Sequence, residues 1–253
     1  KDALAEGFNS EATLETTYAE IAKAPDAEAK TVSMKGNIDV AFAQASKVYR
    51  ANYRSDYGYH AQMEPLNSVA RFNESGDAVE IWEGTQAPGS SRRAIARALD
   101  LKFDQVTHHQ QYLGGGFGRR SNSDYTIEAA LIARIIGRPV KMIWTREEDL
   151  AFGMFRPQTL QCLESALDKD GKIIGWRHCV IGDGGRLVTS GIKLDLYYGI
   201  PNQRIELRST SHGIRLKHWR AVAHPFNIFA IDSLIDEIAA NEGLDPFAFR
   251  RQR

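Results

Sequence analysis

The chain has 253 residues, 43% of them hydrophobic, enough to bury a real core in one large domain or two small ones. Lys and Arg number 32 against 32 Asp and Glu, which excludes a whole-chain field that would draw it to nucleic acid or an anionic membrane surface. No stretch approaches the roughly 18 consecutive apolar residues of a membrane span, and Cys162 and Cys179 match no zinc, iron–sulfur or disulfide-framework spacing. Buried free thiols are the simpler reading of the two cysteines, and a disulfide across paired strands stays open.

Residues 1–33 are rich in Ala, Glu and Lys and read as a connector, with a helix near Glu11 to Ala24 broken at Pro25. From Gly36 the pattern changes. Ile38 to Ala45 suggests a short helix and Lys47 to Tyr53 alternates as a strand. Ser68–Phe72 and Ala78–Trp82 form a hairpin across Asn73–Asp77. A helix with Ser90 or Ser91 as its N-cap spans Arg92 to Leu99. Gln105 to Leu113 reads as a strand, Gly114–Gly118 as a glycine loop, Asp124–Ile136 as a helix closed by Gly137, and Val140–Trp144 as a buried strand.

Thr159–Leu167 and Lys172–Ile181 alternate on either side of the turn residues Asp168-Lys169-Asp170-Gly171, predicting a long hairpin. Ile205–Ser211 is a further strand. Ile228, Ile231, Leu234, Ile235 and Ile238 make a helical apolar stripe ended near Gly243, and Asp245-Pro246 opens a last helix with Asp as N-cap. The sum is an α+β architecture of mixed sheets, one long antiparallel hairpin and packed helices. Residues 34–253 form the domain, divisible into 34–150 and 151–253.

Gly114-Gly115-Gly116-Phe117-Gly118-Arg119-Arg120 is the strongest local signal, because clustered glycines let backbone N–H groups close on an anion. A tight structural turn explains the composition equally well. A dinucleotide fold requires glycine at positions one, three and six, and the sixth residue here is Arg119 or Ser121, so that signature fails. His108 and His109 fall on opposite faces of a strand and cannot share a metal. His60 and Glu64 read as a structural hydrogen-bonded pair rather than an acid–base pair.

Four segments in order resemble the molybdopterin-binding large subunit of the xanthine dehydrogenase/aldehyde oxidase family of molybdenum hydroxylases. They are Tyr59–Pro65, Trp82–Pro88, the glycine loop, and Trp219–Pro225 leading into Phe229–Glu237. The wording is similar to the isoquinoline 1-oxidoreductase and membrane-associated aldehyde dehydrogenase branch. The resemblance implies the first molybdopterin-binding domain of that family. It gives Gln86 a hydrogen bond to an oxygen ligand of the molybdenum, and brings Gly115, Gly116, Phe117 and Gly118 to the pterin. Arg220 holds the cofactor, and Arg119 and Arg120 are available to a phosphate or dinucleotide extension.

The molybdenum is then held through the pterin, most simply in its cytosine dinucleotide form, and not by protein ligands. Ser121, Phe155 and Val222 occupy substrate-pocket positions where purine-using relatives carry glutamate, arginine and phenylalanine, which argues for aldehydes or N-heteroaromatics instead of xanthine. The resemblance further implies a small partner subunit with iron–sulfur clusters, a cytochrome c acceptor, and a periplasmic or membrane-associated location, a cytoplasmic one staying open. The family's glutamate base is expected beyond Arg253, and both chain ends read as internal to a longer subunit, so the isolated chain is expected to be inactive. The alternatives are a structural or regulatory domain of the same fold that binds no cofactor and, behind it, a dinucleotide-binding oxidoreductase domain, whose order of strand, loop and helix is present although its glycine signature fails.

Overall fold

The structure, a computed structural model, describes residues 9–23, 29–192 and 198–251. The chain divides into two compact units: Lys1–Gly58 with Pro157–Leu216 and Ala221–Arg253, and Tyr59–Arg156 with Lys217–Arg220. The division is therefore not the single cut near residue 150 read from sequence. Residues before 59 join the later part of the chain because their strands pair there.

In the first unit the strands are β1 (Lys30–Lys35), β2 (Lys47–Ser55), β7 (Thr159–Leu167), β8 (Ile173–Asp183) and β9 (Asn202–Thr210). They lie in the order β1-β9-β8-β7-β2, with β8 and β9 parallel and the other neighbours antiparallel. The predicted hairpin β7–β8 forms this sheet's spine, its turn closed by Gly171 N–H donating to Asp168 O at 3.1 Å. β1 corrects the reading of residues 1–33 as a mere connector, since their last residues pair with β9. A helical stretch runs from Ser10 to Ala22, and the expected end at Ala24 and break at Pro25 lie outside the described residues. A short helix α1 (Ile38–Ala43) follows β1, capped by the Asn37 side chain.

Helix α5 (His224–Asn241) lays its predicted stripe on this sheet. Ile231, Leu234, Ile235 and Ile238 are at most 1% exposed, packed with Leu163, Leu167, Ile173 and Trp176. At roughly 1.5–3 kcal/mol per fully buried side chain, this contact is what fixes the helix to the sheet. Helix α6 (Pro246–Arg251) adds Phe249, and its cap is Asp245, which accepts from Ala248 N–H at 2.8 Å as the Asp-Pro signal predicts.

The second unit has β3 (Asn67–Phe72), β4 (Val79–Glu83), β5 (Val106–Gln110) and β6 (Val140–Ile143) in the order β5-β4-β3-β6. Helices α2 (Pro88–Ala98) and α3 (Asp124–Ile136) cover this sheet through Ile95, Leu99, Ala129, Ala130 and Ala133. α3 ends at Gly137 as expected, with φ 68°. α2 starts earlier than predicted, with Pro88 in its first turn and Ala87 as its N-cap, because the Ser91 hydroxyl is drawn to Glu83 instead of capping. β6, expected to be buried, is an edge strand with Ile143 exposed. A helix α4 (Arg146–Phe152) follows it. Among the described residues no helix is long and apolar enough to cross a membrane.

Candidate cofactor site around the glycine loop

β4 ends at Glu83, 1% exposed, and its carboxylate organises everything that follows. It accepts the Ser91 hydroxyl from α2, the Thr126 hydroxyl from α3, and a hydrogen bond from His108 Nε2 on β5 at 3.0 Å. Burial alone would raise this carboxyl; the His108, Ser91 and Thr126 bonds outweigh it and hold the pKa below the usual range. His109, on the opposite face, stacks on Trp82 with ring centroids 4.7 Å apart, so the two histidines do diverge.

Thr85 and Gln86 are tied to the far end of the glycine loop. The Thr85 hydroxyl donates to Arg120 O at 2.7 Å, and Gln86 N–H donates to the same oxygen at 3.0 Å. The Gln86 side chain then folds over the loop, its Oε1 accepting from Gly118 N–H at 2.8 Å. Because that oxygen is engaged by a backbone donor, the amide Nε2 is the end left to donate outward. Gly116 permits the fold: a Cβ there would sit 2.5 Å from Gln86 Oε1. Gly118 is demanded more strongly, with φ +106° and a hypothetical Cβ only 1.9 Å from His218 O. Phe117 between them holds φ 50°, a left-handed conformation costly for a non-glycine residue, and its ring is 36% exposed rather than a core anchor. Among the described residues the N–H groups of Gly115, Gly116 and Phe117 donate to no protein acceptor.

Arg119 and Arg120 overturn their predicted role. Both side chains are fully buried and taken up by protein acceptors. Arg119 grips Asp124 through two hydrogen bonds of 2.8 and 2.9 Å, and its guanidinium lies over Trp144. Arg120 donates to the carbonyls of Gly115, Gly84, Glu64 and Pro65 and to Glu64 Oε2 at 2.8 Å. Their charge is consumed in shaping the loop from behind. Glu64 also accepts from Gly114 N–H and from Asn67, and these bonds with Arg120 hold its carboxyl below the usual range despite burial.

Arg220 behaves in the opposite way. It ends a four-residue strap in which each residue is anchored. Lys217 N–H donates to Phe155 O at 3.0 Å; His218 O meets His60 Nε2 at 2.7 Å; Trp219 lies under the Arg156 guanidinium; Arg220 N–H donates to Phe117 O at 2.8 Å. The Arg220 side chain is exposed and has no protein partner among the described residues, so its charge is free beside the loop. His60 does not pair with Glu64. Its ring is wedged between the carbonyls of His218 and Met154, and burial pushes its pKa down against the two oxygens.

The structure thus brings together Gln86, Gly115, Gly116, Phe117, Gly118 and Arg220. Ser121 lies next in the chain, its hydroxyl donating to Gly118 O at 2.6 Å. Phe155 packs on Tyr59, 6.0 Å between centroids, and Val222 belongs to the other unit, in a left-handed turn with Ala221. Sequence reasoning missed the supports. Asp149 on α4, fully buried, receives the Tyr59 hydroxyl, the Gln62 amide and Arg146. Its helix was detectable: Thr145 and Glu148 form a reciprocal capping box, the Thr-x-x-Glu signal.

The arrangement gathers donors that have no protein acceptor: the backbone N–H groups of Gly115, Gly116 and Phe117 on a charge-stapled loop, the neutral Gln86 amide folded over it and the exposed Arg220 guanidinium on the strap beside it. A negatively charged pterin with oxygen-bearing substituents fits that donor set. The return of the chain excludes the dinucleotide fold, since after α3 it crosses to the opposite sheet edge, where β6 lies antiparallel to β3.

Comparison with known proteins agrees. Solved structures share the fold: quinoline 2-oxidoreductase from Pseudomonas putida 86 matches with TM-score 0.79 and 24% identity, over 87% of this chain and 30% of that one. Aldehyde oxidoreductase from Desulfovibrio gigas matches with TM-score 0.79 and 23% identity, over 87% of this chain and 25% of that one. The family model of the molybdopterin cofactor-binding domain matches residues 21–253, and the chain belongs to that family, within the molybdenum hydroxylases. Among curated relatives, the beta subunit of isoquinoline 1-oxidoreductase of Brevundimonas diminuta is 34% identical over 231 residues, 85% of this chain and 29% of the relative. A membrane-bound aldehyde dehydrogenase of Gluconacetobacter polyoxogenes is 30% identical over 236 residues, 84% of this chain and 30% of the relative. The chain therefore spans about 30% of the length of the curated relatives it matches.

Proposed function

We propose that the chain forms one wall of the cofactor site of a molybdenum hydroxylase that oxidises an aldehyde or an N-heteroaromatic compound. The observation that carries this reading is the set of donors without protein acceptors: the amides of Gly115, Gly116 and Phe117 on the glycine loop, Gln86 Nε2 folded over it and the Arg220 guanidinium on the strap tied to it. When bound, the cofactor supplies transfer of a water-derived oxygen and takes up the substrate's electron pair. The chain's own residues bind and orient: the amides and Gln86 present N–H donors to oxygen or sulfur atoms, and Arg220 neutralises charge at the rim.

Ser121 and Phe155 in place of charged purine-orienting residues, together with the relatives named for isoquinoline and aldehyde, support the substrate class. We further propose that the pterin is the cytosine dinucleotide form. In this reading a small subunit with iron–sulfur clusters passes electrons to a cytochrome c, and the complex resides in the periplasm or at its membrane face.

The test uses the full-length protein matured with its iron–sulfur partner. Molybdenum and pterin should be present, and Gln86→Ala or Gly116→Val should lower aldehyde or N-heterocycle oxidation by roughly tenfold to a hundredfold. Matured protein without metal, or unchanged rates in both variants, would sink the reading. The 253-residue chain alone should show no molybdenum-dependent oxidation, and measurable turnover would place a base within it.

A further inference from the structure

Cys162 on β7 and Cys179 on β8 belong to the unit that does not carry the glycine loop, and no step above uses them. They are register partners across the antiparallel pair. Directly opposite residues project to the same face, with Cα atoms about 4.5 or 5.5 Å apart according to whether the pair is hydrogen-bonded. Either separation lies within the roughly 4.4–6.8 Å that a disulfide spans.

Neither sulfur is in a disulfide; both side chains are half-buried and line one cleft of about 870 Å³ whose other walls include Ala19, Ala22, Arg50 and Arg208. They also pack beside the apolar cluster of Tyr18, Leu160 and Ile181. A small oxidant entering the cleft therefore reaches a dithiol whose geometry is set by the sheet.

We infer that Cys162 and Cys179 are a redox-closable pair which a small-molecule disulfide such as glutathione disulfide converts to a cross-strand disulfide, stapling β7 to β8. One thiol loses its proton and attacks the oxidant, forming a mixed disulfide and expelling one thiolate, which takes up a proton. The second thiol then loses its proton and attacks the protein sulfur of that mixed disulfide, expelling the other half. Two electrons and two protons pass from the pair to the oxidant, which leaves as two thiols. Burial pushes the Cys162 thiol up to about 11, so it is protonated at neutral pH and closure is slow there, quickening as pH rises.

The full-length protein, purified reduced, is incubated with excess glutathione disulfide at pH 7 and pH 9, alkylated and mapped by mass spectrometry. The expected result is a peptide pair linked through Cys162 and Cys179, forming at least several-fold faster at pH 9. The midpoint of thermal unfolding should rise by on the order of 5 °C and return when the bond is reduced. Cys162→Ser and Cys179→Ser should each stop at a mixed disulfide on the surviving thiol. Two alkylated thiols after prolonged oxidation, two stable mixed disulfides, or only intermolecular links would overturn the inference, and each is read on the unsubstituted protein, whatever the folding of the variants.

Discussion

The two units hold themselves together in different ways. In the first, helix α5 meets its sheet through a wholly apolar cluster in which Ile231, Leu234, Ile235 and Ile238 interdigitate with Leu163, Leu167 and Trp176. In the second, the helices pack by similar means, but the glycine loop rests on buried ions: Glu83, Arg119, Arg120 and Asp149, each no more than 1% exposed. Apolar contact is non-directional and tolerates small shifts, whereas a charged fork fixes the atoms it touches to within a few tenths of an ångström. A loop that leaves three N–H groups without a protein acceptor is better held the second way, and the cost is a strong dependence on each partner.

That contrast sets the order of expected effects. Arg120→Ala should be the most damaging, because it strands four carbonyls and the Glu64 carboxylate at once; a loss of about 3–5 kcal/mol in urea unfolding is expected. Arg120→Lys should recover only part of it, since one ammonium cannot reach acceptors spread around a planar fork. Both should also lower the cofactor content of the folded protein. Ile235→Ala should cost about 2–5 kcal/mol through lost burial and a cavity, with cofactor content per folded molecule unchanged. Equal cofactor loss in the Ile235 and Arg120 variants would erase the distinction between the two units.

What was legible in the sequence follows the same divide. The α5 stripe, the Asp168–Gly171 hairpin and the Gly137 stop depend on periodicity and local turn chemistry, and each stands where the pattern put it. The residues gathered at the loop were legible through ordered motifs: Gln86, the glycines, Phe117 and Arg220. Arg119 and Arg120 were misread because a charge beside a glycine loop looks the same in sequence whether it faces a ligand or the interior. Only the acceptors contributed by Glu64, Gly84 and Asp124 decide the matter, and two of those lie far along the chain. The edge position of β6 was equally invisible, since strand order is set by pairings that a local apolar run does not encode.

Glu83 tests the electrostatic side by pH. Its folded-state pKa is depressed below the ordinary 4.5, so its contribution is present above that value and is lost as pH falls through the lower folded pKa. Glu83→Gln, with one acceptor oxygen for three donors, should unfold at about 1–3 kcal/mol less at pH 7. Between pH 7 and pH 3 its urea midpoint should fall less than that of the unsubstituted protein. Parallel falls in the two proteins would mean that the three hydrogen bonds do not favour the ionised form.

Arg220→Ala should have the smallest effect on stability and the most selective effect on binding. Its backbone N–H, which ties the strap to Phe117 O, survives the substitution, and its exposed side chain has no protein partner to abandon among the described residues. The unfolding midpoint should therefore shift by no more than about 0.5 kcal/mol. Cofactor retention on dilution or gel filtration should fall, because a guanidinium that contributes nothing to the fold can still hold an anion. Arg220→Lys should restore part of that retention through charge alone, without the planar fork. Loss of stability comparable to that of Arg120→Ala would make Arg220 one more buried support, and the contrast between the inward and outward arginines would collapse.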